Sequence, residues 1–283
     1  MKKNEEYIVE IIDTGFQGEG IAKIEGIAVF VPQAIKGEKI KIKILKVTSK
    51  CAYGKIVEIL EKSPERTQSD CETYNRCGGC NLRHINYKET LKMKKNAVEN
   101  TLRKALGEGI KVNDTIGMEN PFFYRNKLQY PVGISKDGEA VMGVFSERTH
   151  TIIPTKHCKI QNELSQEIAN SILEFINKNK IEAYNEENQT GIIRHIIIRI
   201  GIKTNEVMIT LVVNKLDIPF EKNLVQFIAQ KFPQVKTIAK NLNNKNTNVI
   251  LGNKTEIIFG EGYIYDYLGN FKFKISPMSF YQV

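Results

Sequence analysis

Between residues 39 and 47 charged and apolar positions alternate, with Lys39, Lys41 and Lys43 set among Ile40, Ile42 and Ile44. A period of two predicts a strand with one buried face and one face of ammonium groups. Shorter runs at residues 6–12, 21–24, 28–31 and 55–59 are separated by glycine-bearing turns. Together these runs predict a small five-stranded β-barrel of OB-like type. The period then changes. Between residues 87 and 106, Leu91, Val98, Leu102, Ala105 and Leu106 form an apolar stripe at helical spacing, and Gly107 supplies a stop. The other face of that helix carries Lys88, Lys92, Lys94, Lys95, Arg103 and Lys104, as an ordinary solvated face does. Beyond residue 110 strands and helices mix. Strand pairs are expected at 127–134 with 140–145 and at 192–200 with 207–213, and further strands at 235–241, 248–251, 256–259 and 271–275. Helices are expected at 161–178 and 219–232, and no tandem repeat is present.

The expected fold class is therefore α+β and multidomain. A barrel occupies residues 1–62, a non-periodic loop 63–90, and a central α+β domain with an antiparallel sheet 91–274. The segment 275–283 carries two aromatics and few charges, and it reads as the start of another unit.

Composition narrows the classes of function. No apolar run approaches the ~20 residues of a membrane span, and the charged start Met1-Lys2-Lys3-Asn4 leads into no apolar signal core. The expectation is a cytoplasmic protein, a monomer, with no membrane partner. A net charge of +9 favours a polyanionic partner, because lysines that neutralise phosphates release counterions. The same lysine-, isoleucine- and asparagine-rich composition is also what an AT-rich genome encodes. Five cysteines without a secretion signal point to metal or redox use rather than to a disulfide framework.

Three of those cysteines, Cys71, Cys77 and Cys80, share one loop, in which Gly78-Gly79 allows a tight turn between two of them. The fourth, Cys158, stands apart in Thr155-Lys156-His157-Cys158-Lys159. Four thiolates suit a [4Fe–4S] cluster. Soft thiolates also suit zinc, with His84 or His157 able to replace one of them. Unliganded thiols are the third reading, and the spacing leaves all three open. Cys51 stands alone and reads as a small apolar residue.

At this point the motifs resemble a known family, the RNA (uracil-5-)-methyltransferases, and most closely the branch that makes 5-methyluridine in 23S rRNA. Gly18-Glu19-Gly20-Ile21-Ala22, Val29-Phe30-Val31-Pro32 and Lys36-Gly37-Glu38 resemble a TRAM domain, an RNA-binding β-barrel. Cys71 to Cys80, followed by Leu82-Arg83-His84 and Tyr87, resemble the family's cluster loop. Tyr124-Arg125-Asn126-Lys127, and Gly143-Val144-Phe145 through Cys158-Lys159-Ile160-Gln161, resemble its central domain. Ser276-Pro277-Met278-Ser279-Phe280-Tyr281-Gln282-Val283 resembles the entrance to its Rossmann-like methyltransferase domain.

The resemblance implies a [4Fe–4S] cluster on Cys71, Cys77, Cys80 and Cys158. It implies S-adenosylmethionine as methyl donor with Gln282 at its site, Phe280 stacked on the flipped uracil, and 23S rRNA as the partner. A cysteine thiolate would add to uracil C6, C5 would take the methyl group, and a base would remove the C5 proton. Lys39, Lys41 and Lys43 would contact phosphates, and Arg125 and Lys127 would hold the target stem. No glycine-rich cofactor loop and no cysteine after Cys158 occur in the chain. This predicts a chain from which the C-terminal methyltransferase domain is absent, with no catalytic residue and no activity of its own. Three rivals stand beside this reading. They are a complete RNA-binding protein without catalysis, a zinc-stapled module, and an enzyme that modifies tRNA instead of rRNA.

Overall fold

The computed structural model describes residues 1–147 and 149–282. It divides into two compact units, Met1–Glu119 and Asn120–Val283.

In the first unit, strands β1 (Glu6–Glu10), β2 (Asp13–Thr14), β3 (Gly20–Ile24), β4 (Ile27–Val31), β5 (Lys39–Val47) and β6 (Cys51–Glu61) form one sheet in the order β1-β5-β6-β4-β3-β2. The sequence predicts five strands and the structure has six. The additional strand, β2, is two residues long, too short to show any period. Alternation in β5 works as expected, since Ile40, Ile42 and Ile44 are fully buried beside Val9, Ile11, Val29 and Val31. Most pairings are antiparallel, but β4 runs parallel to β6. The chain after this sheet is tied back by a buried ion pair, in which the Arg66 Nε and Nη2 groups reach the two Glu38 carboxylate oxygens at 2.5 and 2.7 Å. Burial pushes the Glu38 carboxyl up. The Arg66 guanidinium and the backbone N–H groups of Ile35 and Ser63 outweigh that and hold it below the usual carboxylate range. A short helix α1 (Tyr74–Cys77) and the long helix α2 (Tyr87–Leu106) follow. The N-terminus of α2 is capped by the Asn86 side chain, which accepts from the Lys88 N–H.

The second unit runs β7 (Lys127–Ile134), β8 (Ala140–Phe145), β9 (Ile152–Pro154), α3 (Glu163–Lys178), β10 (Ile193–Ile200), β11 (Val207–Val213), α4 (Glu221–Lys231), β12 (Val235–Leu242) and β13 (Lys254–Gly260). These strands build a seven-stranded sheet in the order β13-β12-β11-β10-β7-β8-β9. The expectation of an antiparallel sheet needs correction, because β11 and β12 are parallel. Helix α4 between them supplies the crossover that a parallel pair requires. Residues 248–251 do not form the expected strand. The Asn243 side-chain amide donates to the Val249 and Ile250 carbonyls instead. A separate hairpin follows, β14 (Ile264–Leu268) with β15 (Phe271–Ile275).

Side-chain parity divides the large sheet. Leu128, Tyr130, Val132, Ile196, Ile198, Ile200, Ile209, Leu211 and Ile238 pack with α3 and α4 residues such as Ile168, Ile172, Leu224 and Ile228. The alternate positions face the other way. Among the described residues no helix is long and apolar enough to cross a membrane.

Candidate functional site

The second face of the large sheet is built from the positions left over by the core. Register places Lys127, Arg199 and Met208 side by side, then Gln129, Ile197 and Thr210, then Pro131, His195 and Val212. Lysine, arginine, glutamine, histidine and threonine on strands buried on both sides are unusual for a structural core. Arg199 is only 3% exposed. Its guanidinium donates through Nη1 to the Pro277 carbonyl at 3.1 Å and through Nη2 to the Ser279 carbonyl at 3.0 Å. Burial lowers the Lys127 pKa, and the neighbouring Arg199 charge lowers it further.

The segment after β15 is thereby fastened to this face. The Ser279 N–H closes a turn on the Ser276 carbonyl at 3.1 Å, and the Ser276 N–H donates to Ser279 Oγ at 3.0 Å. Beyond the turn, the Tyr281 hydroxyl donates to Asp266 Oδ2 at 3.1 Å, and the Tyr281 ring lies 5.7 Å from Phe273. Asp266 also accepts from the Ile202 and Lys203 N–H groups, so its carboxylate ties the hairpin, the β10–β11 turn and the terminal segment together. Phe280 sits between these anchors and is itself 89% exposed. Gln282 is exposed as well, and Val283 lies outside the described residues. A ring held open by anchored neighbours on both sides is a preformed stacking surface.

The remaining expected RNA contacts are distributed over both units. Arg125 begins the same strand region as Lys127, and its backbone N–H donates to the Ile160 carbonyl at 3.0 Å. In the barrel, Lys41 pairs with Glu6 at 2.8 Å and Lys39 with Glu61 at 3.5 Å, while Lys43 lies opposite Glu6 in the β1–β5 register. These lysines are therefore a face of alternating charge, with acids that the sequence pattern of β5 alone does not reveal.

The thiol loop belongs to the first unit. Cys77 ends α1, and Gly78 follows in a left-handed conformation at φ 65°. A Cβ on Gly79 would stand 3.1 Å from Cys77 Sγ, so glycine leaves that sulfur uncovered. The loop rests on Tyr74, whose hydroxyl donates to the Asn81 carbonyl at 3.2 Å and shares a 2.6 Å hydrogen bond with His84 Nδ1. None of Cys71, Cys77, Cys80 and Cys158 is in a disulfide, and all four are of intermediate exposure. Cys158 lies in the second unit, where its backbone N–H donates to the Gln166 side-chain carbonyl. Among the described residues no three His, Cys, Asp or Glu side chains gather into an arrangement that could hold a metal ion. What does fit a cluster is the chemistry of the donors: soft, unbridged and reachable.

Arg199, His195 and Asp266 are not in the expected set of site residues. For His195 and Arg199 the signal lies in His195-Ile196-Ile197-Ile198-Arg199, where two polar residues of the same parity interrupt an apolar strand, while Asp266 has no such local signal.

Comparison with known proteins agrees with this architecture. A TRAM domain model matches residues 2–57. The whole chain is 46% identical to an uncharacterised RNA methyltransferase of Clostridium acetobutylicum and 40% identical to one of Caldanaerobacter subterraneus, covering 62% of each. The chain thus spans about three fifths of the length of these relatives. Among solved structures, the Pyrococcus abyssi tRNA (uracil-54, C5)-methyltransferase, in complex with S-adenosyl-L-homocysteine, matches with a TM-score of 0.68 at 24% identity. That match covers 96% of this chain and 60% of the other. It overturns the expectation that the fold is defined by an absent methyltransferase domain. Nearly the whole chain superposes on a methyltransferase, with several sheets and mixed α/β elements. The expectation of an inactive chain rested on that absence and is not supported. Residues 2–57 are thus similar to a TRAM domain, and the chain is similar along its whole length to part of proteins named as RNA methyltransferases.

Proposed function

We propose that this protein serves the S-adenosylmethionine-dependent methylation of uracil C5 in RNA, with 23S rRNA as the substrate. The observation that carries the reading is Phe280, whose ring stands open between the Arg199-bound turn and the Asp266-bound Tyr281. Uracil C5 lies within a base stack, so the base must leave the duplex before it can react, and an open aromatic ring lowers the cost of holding it outside. Lys127 and Arg125 would receive the flanking phosphates, and Lys39, Lys41 and Lys43 would add longer-range attraction. The Gln282 amide offers two N–H donors and a carbonyl acceptor to S-adenosylmethionine, which when bound supplies an electrophilic methyl group. Phe280→Ala is expected to lower transfer of labelled methyl from S-adenosylmethionine to unmodified 23S rRNA by about 5- to 150-fold, since stacking is worth ~1–3 kcal/mol per base. Equal rates for the variant and the parent protein would remove Phe280 from the site.

The thiol set is proposed to hold a [4Fe–4S] cluster through Cys71, Cys77, Cys80 and Cys158, with a structural role. Support comes from four thiols outside any disulfide, all of intermediate exposure, and from Gly79, where a side chain would crowd Cys77 Sγ. Protein purified without oxygen is expected to carry about four irons and four acid-labile sulfides per chain. Cys77→Ser is expected to lose most of both. Stoichiometric zinc in place of iron would reject the cluster.

A tRNA substrate is the second reading, favoured by the fold match to a tRNA methyltransferase.

A further inference from the structure

Strands β14 and β15 pair only with each other, and their register sorts their side chains onto two faces. Ile264, Asp266 and Ile275 point inward. The two isoleucines pack with Met208, and the Asp266 carboxylate accepts from the Ile202 and Lys203 N–H groups. A free two-stranded hairpin is marginally stable in water, and these contacts hold it in place. The opposite face carries Tyr265, Tyr267, Lys272 and Lys274, with Tyr263 just before the strand. Lys272 Nζ lies 3.8 Å from the Tyr265 ring centroid, and Lys274 Nζ lies 3.7 Å from that of Tyr263. Among the described residues neither ammonium has a carboxylate partner. Two acids lie near the hairpin: Glu261 is engaged by the Tyr263 hydroxyl, and Glu206 accepts from the Tyr265 N–H at 2.7 Å.

We propose that this face of the hairpin is a binding site for a single-stranded segment of RNA, in which the tyrosine rings stack on bases and Lys272 and Lys274 take the phosphates between them. The Tyr263 and Tyr265 rings meet edge to face with centroids 5.3 Å apart, and Tyr267, two residues further along the strand, is 40% exposed, so the face offers an aromatic ledge on which unstacked bases can lie. The two lysines cover rings that would otherwise face water. They can leave those rings for a phosphate with little loss, because a cation–π contact at an exposed site is weak. The ligand is taken to be a polyanion rather than a protein surface because both charges here are positive and neither is neutralised. The proposal rests on the RNA reading above but concerns a different surface from that of Phe280.

The test is binding of fluorescein-labelled oligouridine and of a matched RNA duplex across a salt series, using the full chain. Lys272→Gln with Lys274→Gln is expected to flatten the slope of log K against log salt for the single strand by about 1.4. Tyr265→Leu with Tyr267→Leu is expected to weaken single-strand binding by about tenfold or more with the slope unchanged. Duplex binding should respond to neither. Both lysines are exposed, so the lysine variant should melt like the parent protein and keeps the test interpretable if the tyrosine variant folds poorly. If the parent protein binds RNA and the lysine variant matches it in affinity and slope, the hairpin proposal fails and the face belongs to a polypeptide partner. If the parent protein binds no RNA at any salt concentration, the RNA reading fails with it.

Discussion

Arg199→Met is expected to slow uracil methylation by about a hundredfold while leaving thermal unfolding close to that of the parent protein. Methionine retains an apolar stem of similar reach, but it cannot donate to the Pro277 and Ser279 carbonyls. A buried guanidinium is costly to desolvate, and among the described residues Arg199 has no carboxylate to offset that cost. Its removal should therefore do little harm to stability, whereas the turn that carries Phe280 loses its two fixed points. Misplacing a reacting group by ~1 Å can cost about 10²-fold in rate, and this sets the expected size of the effect. Arg199 is thus a positioning residue. Hydrogen exchange distinguishes this role from a merely structural one, because amides 278–282 should lose protection in the variant while β10 and β11 keep theirs. An unchanged rate would show that the turn does not need the guanidinium.

The second large effect is loss of stability in mild acid. Burial, reinforced by the Arg66 charge, holds the His84 pKa at about 4. Burial and the Arg194 charge do the same for His195, also to about 4. Both values lie below the ordinary 6.5. The unfolded chain therefore binds more protons than the folded one between those values, and stability falls as pH drops from about 6.5 towards 4. Each histidine is expected to remove about 2–3 kcal/mol across that window. Urea unfolding at pH 7 and pH 4.5 measures the loss. His84→Gln and His195→Gln should each shrink the difference between the two pH values by about half. If both variants retain the full difference, other groups carry it.

The parts of this fold that were legible in sequence are those with a clear period. Lys39–Val47 announced its buried face through Ile40, Ile42 and Ile44, and Tyr87–Leu106 announced a helix through its stripe and Gly107. Elements without a period were missed. Strand β2 is too short, and β14 mixes Ile264, Asp266 and Leu268 on one face because Asp266 bonds to backbone N–H groups there. The parallel β11–β12 pair was also hidden, since strand direction depends on what α4 packs against and not on the strands' own composition.

Legibility of the site divides along the same line. The cysteines stand in a local spacing that is visible in the sequence, and Phe280 stands in a terminal motif that the family resemblance singles out. The support beneath Phe280 comes from Arg199, far away in the chain and enclosed in an isoleucine-rich strand, and only the register of β7, β10 and β11 reveals what it holds. The barrel lysines show the opposite case. Their period was plain, but Glu6 and Glu61, supplied by neighbouring strands, temper their charge.

The most direct test of the central claim is a map of 5-methyluridine in 23S rRNA and in tRNA, made by mass spectrometry on cells with and without this gene. 5-Methyluridine is expected to disappear from 23S rRNA when the gene is removed, to return when it is restored, and to stay unchanged in tRNA throughout. Retention of every 5-methyluridine in 23S rRNA after removal of the gene would contradict it.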